Sequence, residues 1–278
     1  MPAPRIPQGA FDLHVHSAPD LRPRSVNDWE LCEQAIAAGI RGMILKSHWT
    51  ETATRASLLR QQFPRLEIHG SLCLNSSVGG LNPEAVKTAL NLGAKEIWMP
   101  TVDAANPNQN SCEQAASLSL LGKSGNLRPD VKRIIRMVAE AGVILGTGHV
   151  LPEETRKLVP VALAGGVRRI LITHPEWPAT YFSPEEQKRL VTPGRVFFER
   201  CYVSTKSAGG SVPIDEIIEG IRTTGPEHTV LTTDFGVAGL PTPAEAFGEY
   251  LELIRRAGLK EREIVTMVVD NPTYLLAL

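Results

Sequence analysis

VILGTGHVLPEETRKLVPVALAGGVRRILITHP, residues 143–175, holds one complete repeat of the architecture. Val143–Thr147 is a short apolar run that leads into Gly148 and His149. Pro152–Ala164 follows with the grammar of a helix, with proline in the first turn and Gly165 just past the end. A helix start tolerates the missing N–H of proline, and a helix stop uses the backbone freedom of glycine. Arg169–Thr173 is the next apolar run, and it leads into His174. Strand, helix and strand in this order predict a parallel sheet covered by helices.

The same pattern extends in both directions. Further strands are expected at Phe11–His16, Gly42–Lys46, Leu66–Leu72, Glu96–Pro100, Val196–Val203 and Thr229–Thr233. Helical stretches lie between them at Asn27–Ala38, Thr50–Gln62, Asn82–Leu92, Pro129–Ala141, Pro184–Val191, Pro213–Arg222 and Pro243–Ala257. Near the end, Asn271 is expected to cap a last helix with Pro272 at its first position. About eight such units in 278 residues predict a (β/α)8 TIM-type barrel, allowing for distortion, in one domain spanning 1–278. An open doubly wound sheet is disfavoured, because no GxGxxG follows the first strand. Gly122–Gly125 neither follows a strand nor carries the earlier glycine of a phosphate loop. Thr101–Arg128 is longer than an ordinary strand-to-helix loop, and at the barrel mouth it would serve as a lid.

Composition narrows the function classes. Lys+Arg is 29 and Asp+Glu is 30, so no basic surface points to nucleic acid. Aromatic residues make up only 5%, which argues against a base-stacking platform. No apolar run is long enough for a membrane span, and MPAPRIPQGA lacks the apolar centre of a signal peptide. The four cysteines Cys32, Cys73, Cys112 and Cys201 form no CxxC pair and read as reduced thiols of a cytoplasmic protein. A small-molecule substrate is expected, with neither nucleic acid nor membrane as partner and with a homo-oligomer left open.

Histidine placement is the informative feature. Of seven histidines, His14, His16, His48, His69, His149 and His174 lie in or just after a predicted strand. In a barrel the C-terminal strand ends converge on one mouth, so these groups would meet there. His14 and His16 are two apart on one strand, share a face and can chelate one ion. His149 and His174 end successive strands at the same end of the barrel. Asp234 ends the eighth strand, where a carboxylate is costly unless paired or bound to a cation. It is expected both to ligate a metal and to accept a proton from water.

The motifs DLHVHS, GTGHV, ITHPE, TTDFG and DNPTYLL, taken in order from Asp12 to Leu276, resemble the amidohydrolase superfamily of metal-dependent hydrolases. The start of the chain is also similar to the PHP phosphoesterases, with AGIRGMILKSH where those proteins often carry TDH. The resemblance implies His14, His16, His149, His174 and Asp234 as metal ligands. Catalytic roles fall to Asp234, to His174, and to Lys46 and His48 after the second strand. His48 is expected as a further ligand or an acid, and Lys46 as a contact for an anionic group or a bridge. The implied cofactor is one or two divalent ions, zinc foremost, with manganese, iron or nickel as alternatives. The fourth strand departs from the binuclear pattern: it ends without the bridging lysine or glutamate, which favours a single ion. The expected activity is attack of activated water on an amide, cyclic amide or ester. Alternatives are a metal-dependent decarboxylase, a PHP-type phosphoesterase or a non-catalytic ligand-binding barrel. Glu199 is expected to point into the barrel or to pair with an arginine, Lys206 to contact an anion, and His69 to pack in the core.

Overall fold

Strands covered on both faces read as unbroken apolar runs, and here the strands are buried along nearly their whole length. The computed structural model describes residues 6–109 and 117–278. Its eight strands are β1 (Phe11–Val15), β2 (Gly42–Leu45), β3 (Glu67–Cys73), β4 (Glu96–Trp98), β5 (Ile144–Gly146), β6 (Ile170–Thr173), β7 (Val196–Cys201) and β8 (Thr229–Thr232). They pair in chain order, and each of these pairs is parallel. The helices between them are α1 (Asp28–Ala37), α2 (Ala53–Gln62), α3 (Pro83–Asn91), α4 (Pro129–Ala141), α5 (Pro152–Ala164), α6 (Pro184–Leu190), α7 (Ile214–Thr224) and α8 (Pro243–Arg256). The result is the (β/α)8 barrel.

The helices start where local chemistry allows. Proline occupies the first turn of α3, α4, α5, α6 and α8. Ser183 caps α6 while the Glu186 carboxylate accepts from the Ser183 backbone N–H, and Asn27 with Glu30 does the same for α1. One apolar cluster fills the lower barrel, built on Phe11, Leu13, Ile44, Ile144, Leu171 and Phe197. Two larger clusters lie around the strands with the helices.

The seam between β1 and β8 is irregular, and it bears on the site. The β1–β2 register shifts between Asp12 and Val15. Beyond β8, Asp234 N donates to His14 O at 2.8 Å and His16 N to Phe235 O at 2.8 Å. Lower down, the buried Asp12 carboxylate accepts from Thr233 N at 3.0 Å and Thr233 Oγ1 at 2.6 Å. Burial pushes the Asp12 carboxyl up to about 7, against the hydrogen bonds from Thr233 and His14 that pull it down. The barrel is closed by the same two segments that carry His14, His16 and Asp234.

The C-terminal segment corrects one expectation. Glu261–Val265 is helical (α9) and continues through a π-helical turn at Thr266–Asp270 into α10 (Asn271–Leu276). Asn271 therefore has helical dihedrals instead of a cap conformation. Its side-chain amide donates to Pro226 O at 2.8 Å and Thr229 O at 2.7 Å, tying α10 to the barrel floor. Among the described residues, no helix is long and apolar enough to cross a membrane. Cys32, Cys73 and Cys201 are buried free thiols, while Cys112 lies outside the described residues.

Candidate metal centre

Five imidazoles form a closed ring at the barrel mouth. Ring centroids are 5.6 Å apart for His14 and His16, 5.0 Å for His16 and His48, and 5.9 Å for His48 and His149. The circuit completes at 5.5 Å from His149 to His174 and 5.6 Å from His174 to His14. Asp234 reaches into it: Oδ1 is 2.8 Å from His14 Nε2 and 3.0 Å from His16 Nε2, and Oδ2 is 3.3 Å from His174 Nε2. Strands β1, β2, β5, β6 and β8 each end in a member of this group, so topology alone gathers residues 220 positions apart (14 to 234).

Groups behind the ring select tautomers. Gln109 Nε2 donates to the carbonyls of Thr101, Val102 and Ala104 at 3.1–3.3 Å, which turns Oε1 toward His149 Nδ1 at 3.3 Å. An amide oxygen only accepts, so the proton of neutral His149 sits on Nδ1 and Nε2 keeps its lone pair. Among the described residues nothing bonds that Nε2. Glu199 does the same for His14, accepting from Nδ1 at 3.1 Å. An acceptor behind a histidine is the usual support of a metal ligand, because it fixes ring and tautomer. His48 Nδ1 lies 2.8 Å from Thr101 Oγ1, which also accepts from Asn75 Nδ2 at 2.7 Å. His174 Nδ1 is buried without a partner among the described residues.

Electrostatics separate these groups. Burial holds His48 and His149 well below the ordinary imidazole range, helped by Lys46 and by neighbouring histidines. Burial and the Arg24 guanidinium push His16 down to about 3, against the pull of Asp234. These rings are neutral at pH 7, the form that ligates. Burial also disfavours a charged His14, but Asp234 and Glu199 outweigh it and hold His14 above its ordinary value. Asp234 resists burial through His14, His16 and His174 and stays well below the carboxylate range.

Lys46 lies in a layer beneath the ring. Its Nζ is 2.8 Å from His14 Nε2 and 4.2 Å from the Trp98 ring centroid. Glu96 and Glu199 sit in the same layer. Burial and Glu199 push Glu96 well above the carboxylate range, while Lys46 opposes them. Lys46 is absent from the cleft wall, whereas His16, His48, His149, His174 and Asp234 line a cleft of about 270 Å³.

Other expectations resolve in different ways. Glu199 points inward and holds His14. His69 is buried away from the ring, as expected of a core residue. Lys206 does not reach the site: its Nζ bonds Tyr202 OH at 2.8 Å and lies over that ring. The described parts of the Thr101–Arg128 loop fold over the mouth, where Val102 and Gln109 line the cleft. Among the cleft residues that sequence did not single out, Gln109, Trp177 and Arg24 make specific contacts. Trp177 packs edge-on against His149 and His174, with centroids 5.1 and 5.7 Å away. It directly follows the ITHPE motif that carries His174. Glu176 in that run turns away from the cleft and pairs with the buried Arg200.

The parallel barrel brings the histidine ring and Asp234 to one mouth, and it shares its fold with several solved hydrolases. Over residues 9–199 the chain matches the model of a family of unknown function (DUF6282), and it belongs to that family. Among solved structures it resembles a probable 2-pyrone-4,6-dicarboxylic acid hydrolase from Acinetobacter baumannii, at 16% identity and TM-score 0.62, covering 98% of this chain and 100% of the other. It also resembles the organophosphorus hydrolase of Deinococcus radiodurans, at 14% identity and TM-score 0.62, covering 99% and 98%. A third likeness is to dipeptidase AC, a metallopeptidase, at 11% identity and TM-score 0.62, covering 97% and 98%. At such identities the likeness is one of fold. No curated protein matches the chain.

Proposed function

We propose that this protein is a metal-dependent hydrolase acting on an amide, cyclic amide or ester of a small molecule. The observation that carries the reading is the imidazole ring with Asp234 at its edge. The donor set fits a divalent ion. His14, His16 and Asp234 bring one nitrogen or oxygen donor each within 4.8 Å of one another. His149 offers an unpartnered Nε2, with its proton placed on Nδ1 by Gln109. Imidazole and carboxylate donors suit zinc first, with manganese, iron or nickel as alternatives. When bound, such an ion supplies Lewis-acid activation of water and of the scissile carbonyl.

The chain's own residues supply the rest. Asp234 has one carboxylate oxygen facing His14 and His16 and the other facing His174. It accepts the proton of the attacking water and returns it to the leaving group. His174 shares that carboxylate and orients it. His48, held at Nδ1 by Thr101, presents its other nitrogen to the cleft as an acid or a further ligand. Lys46, beneath His14, balances the carboxylates of the lower layer. The fold likeness to named hydrolases, one of them a metallopeptidase, supports this reading.

The test is turnover of a panel of esters, lactones, cyclic amides and dipeptides by metal-supplemented protein. Asp234→Asn keeps the shape and removes the base. Hydrolysis lowered about 100-fold or more by that change and abolished by chelation is the expected result. Turnover indifferent to both rejects the reading.

A further inference from the structure

The β1–α1 loop places a guanidinium in the cleft wall. We propose that Arg24 anchors a carboxylate group of the substrate, so that the cleft takes small carboxylic acids. The inference rests on the hydrolase reading for what happens next to that anchor.

Arg24 lines the cleft, yet its side chain is only 3% exposed. A guanidinium withdrawn from water this far needs acceptors. Among the described residues only Nη2 has them: Asp20 Oδ2 at 2.9 Å and His16 Nδ1 at 3.1 Å. Among the described residues nothing accepts from Nε. Asp20 compensates the charge only in part, because its other oxygen accepts from Trp49 Nε1 at 3.0 Å and Arg22 N at 3.1 Å. Among the described residues of the wall, Asp234 is the only carboxylate, and Arg22 is a second guanidinium.

The anchor is also fixed in place. Arg24 pairs with Val237 across an antiparallel bridge, and Ser25 N donates to Gly236 O at 2.8 Å. The loop that holds Arg24 is therefore tied to the loop that follows Asp234, and little freedom is lost when a ligand binds. His16 touches both Arg24 and Asp234, so an anion on Arg24 places its neighbouring atoms over the reacting centre. The planar fork of arginine matches a carboxylate. The adjacent Asp20 charge favours a singly charged carboxylate over a phosphate dianion.

Isothermal titration of the metal-loaded full chain tests the assignment. The probes are succinate, its uncharged analogue succinamide, and inorganic phosphate. Succinate is expected to bind more tightly than the other two. Arg24→Met should weaken succinate about 10- to 100-fold, the range of a lost charge-assisted contact, and leave succinamide unchanged. As a control, Arg133→Met on the surface away from the cleft should change succinate affinity less than about three-fold. If Arg24→Met does not fold, Arg24→Gln is read for the same loss of selectivity. Equal succinate affinity in the Arg24 variant, tighter binding of phosphate, or no succinate binding at millimolar concentration overturns the proposal. Metal content is measured on every sample. Protein that lacks metal yet keeps Arg24-dependent succinate binding retains the anchor and loses the hydrolase reading.

Discussion

His174 and Asp234 meet at 3.3 Å, from Nε2 to Oδ2, and both hold left-handed backbones, with φ of 49° and 53°. Residues other than glycine avoid this region, and each such residue stores about 1–3 kcal/mol. They end β6 and β8 at equivalent places. Their amides are secured by the neighbouring strand, His174 N on Glu199 O at 3.1 Å and Asp234 N on His14 O at 2.8 Å. Each turn bends the chain sharply at the strand end and brings its side chain into the imidazole ring.

Backbone and side-chain roles at Asp234 can thus be separated. Asparagine tolerates the left-handed region, whereas a β-branched residue does not. Asp234→Val should be less stable than Asp234→Asn by about 1–3 kcal/mol. Urea unfolding of the two variants measures the difference. Equal stability would mean that the turn relaxes without cost.

On the proposed reading, Gln109 supports metal retention chiefly through His149, while its amide also braces the 101–104 backbone. Gln109→Leu removes the acceptor behind Nδ1 and leaves every proposed ligand in place. Loss of such support typically weakens a site about 10- to 100-fold. Competition with a chromophoric chelator should show that drop, with the circular dichroism spectrum unchanged. Wild-type retention would separate Gln109 from the centre.

His69 gives stability a pH dependence of its own, outside the site. Burial, with Lys95 and Arg60 nearby, lowers it to about 4 from 6.5. Between those values the unfolded chain binds a proton that the folded chain refuses. Stability from this group is therefore complete above about pH 7 and is lost as the pH falls toward 4. At pH 5 the loss is about 2 kcal/mol. Unfolding free energies at pH 7.5 and pH 5 should fall by that much more in wild type than in His69→Gln. Parallel pH profiles would contradict it.

Much of this was legible from residue order. Proline and glycine punctuation marked the helices, and the buried strands declared themselves as apolar runs, as Ile170–Thr173 does. Five histidines and Asp234 at strand ends were visible because the barrel converts chain position into a common mouth. Boundaries drifted where a strand gives way to a tighter turn. The run expected at Val196–Val203 ends at Cys201, because Tyr202–Thr205 winds into a 3-10 helix. Asn271 was misread because a cap and a mid-helix amide look alike until the preceding π-helical turn is seen. Gln109 and Arg24 carry no local signature, since loop folding decides where they point. Lys206 is held by a nearby phenol, which loop folding also decides. Lys46 directly follows β2 and lies one layer below the cleft, over Trp98.

Metal content per chain tests the central claim most directly. Elemental analysis would compare metal-supplemented wild type with His14→Ala/His16→Ala. The expected result is one or two divalent ions per wild-type chain and loss of metal from the variant, with the variant still folded. Wild-type protein without bound metal, or a variant that keeps all of it, would contradict a metal centre built on these histidines.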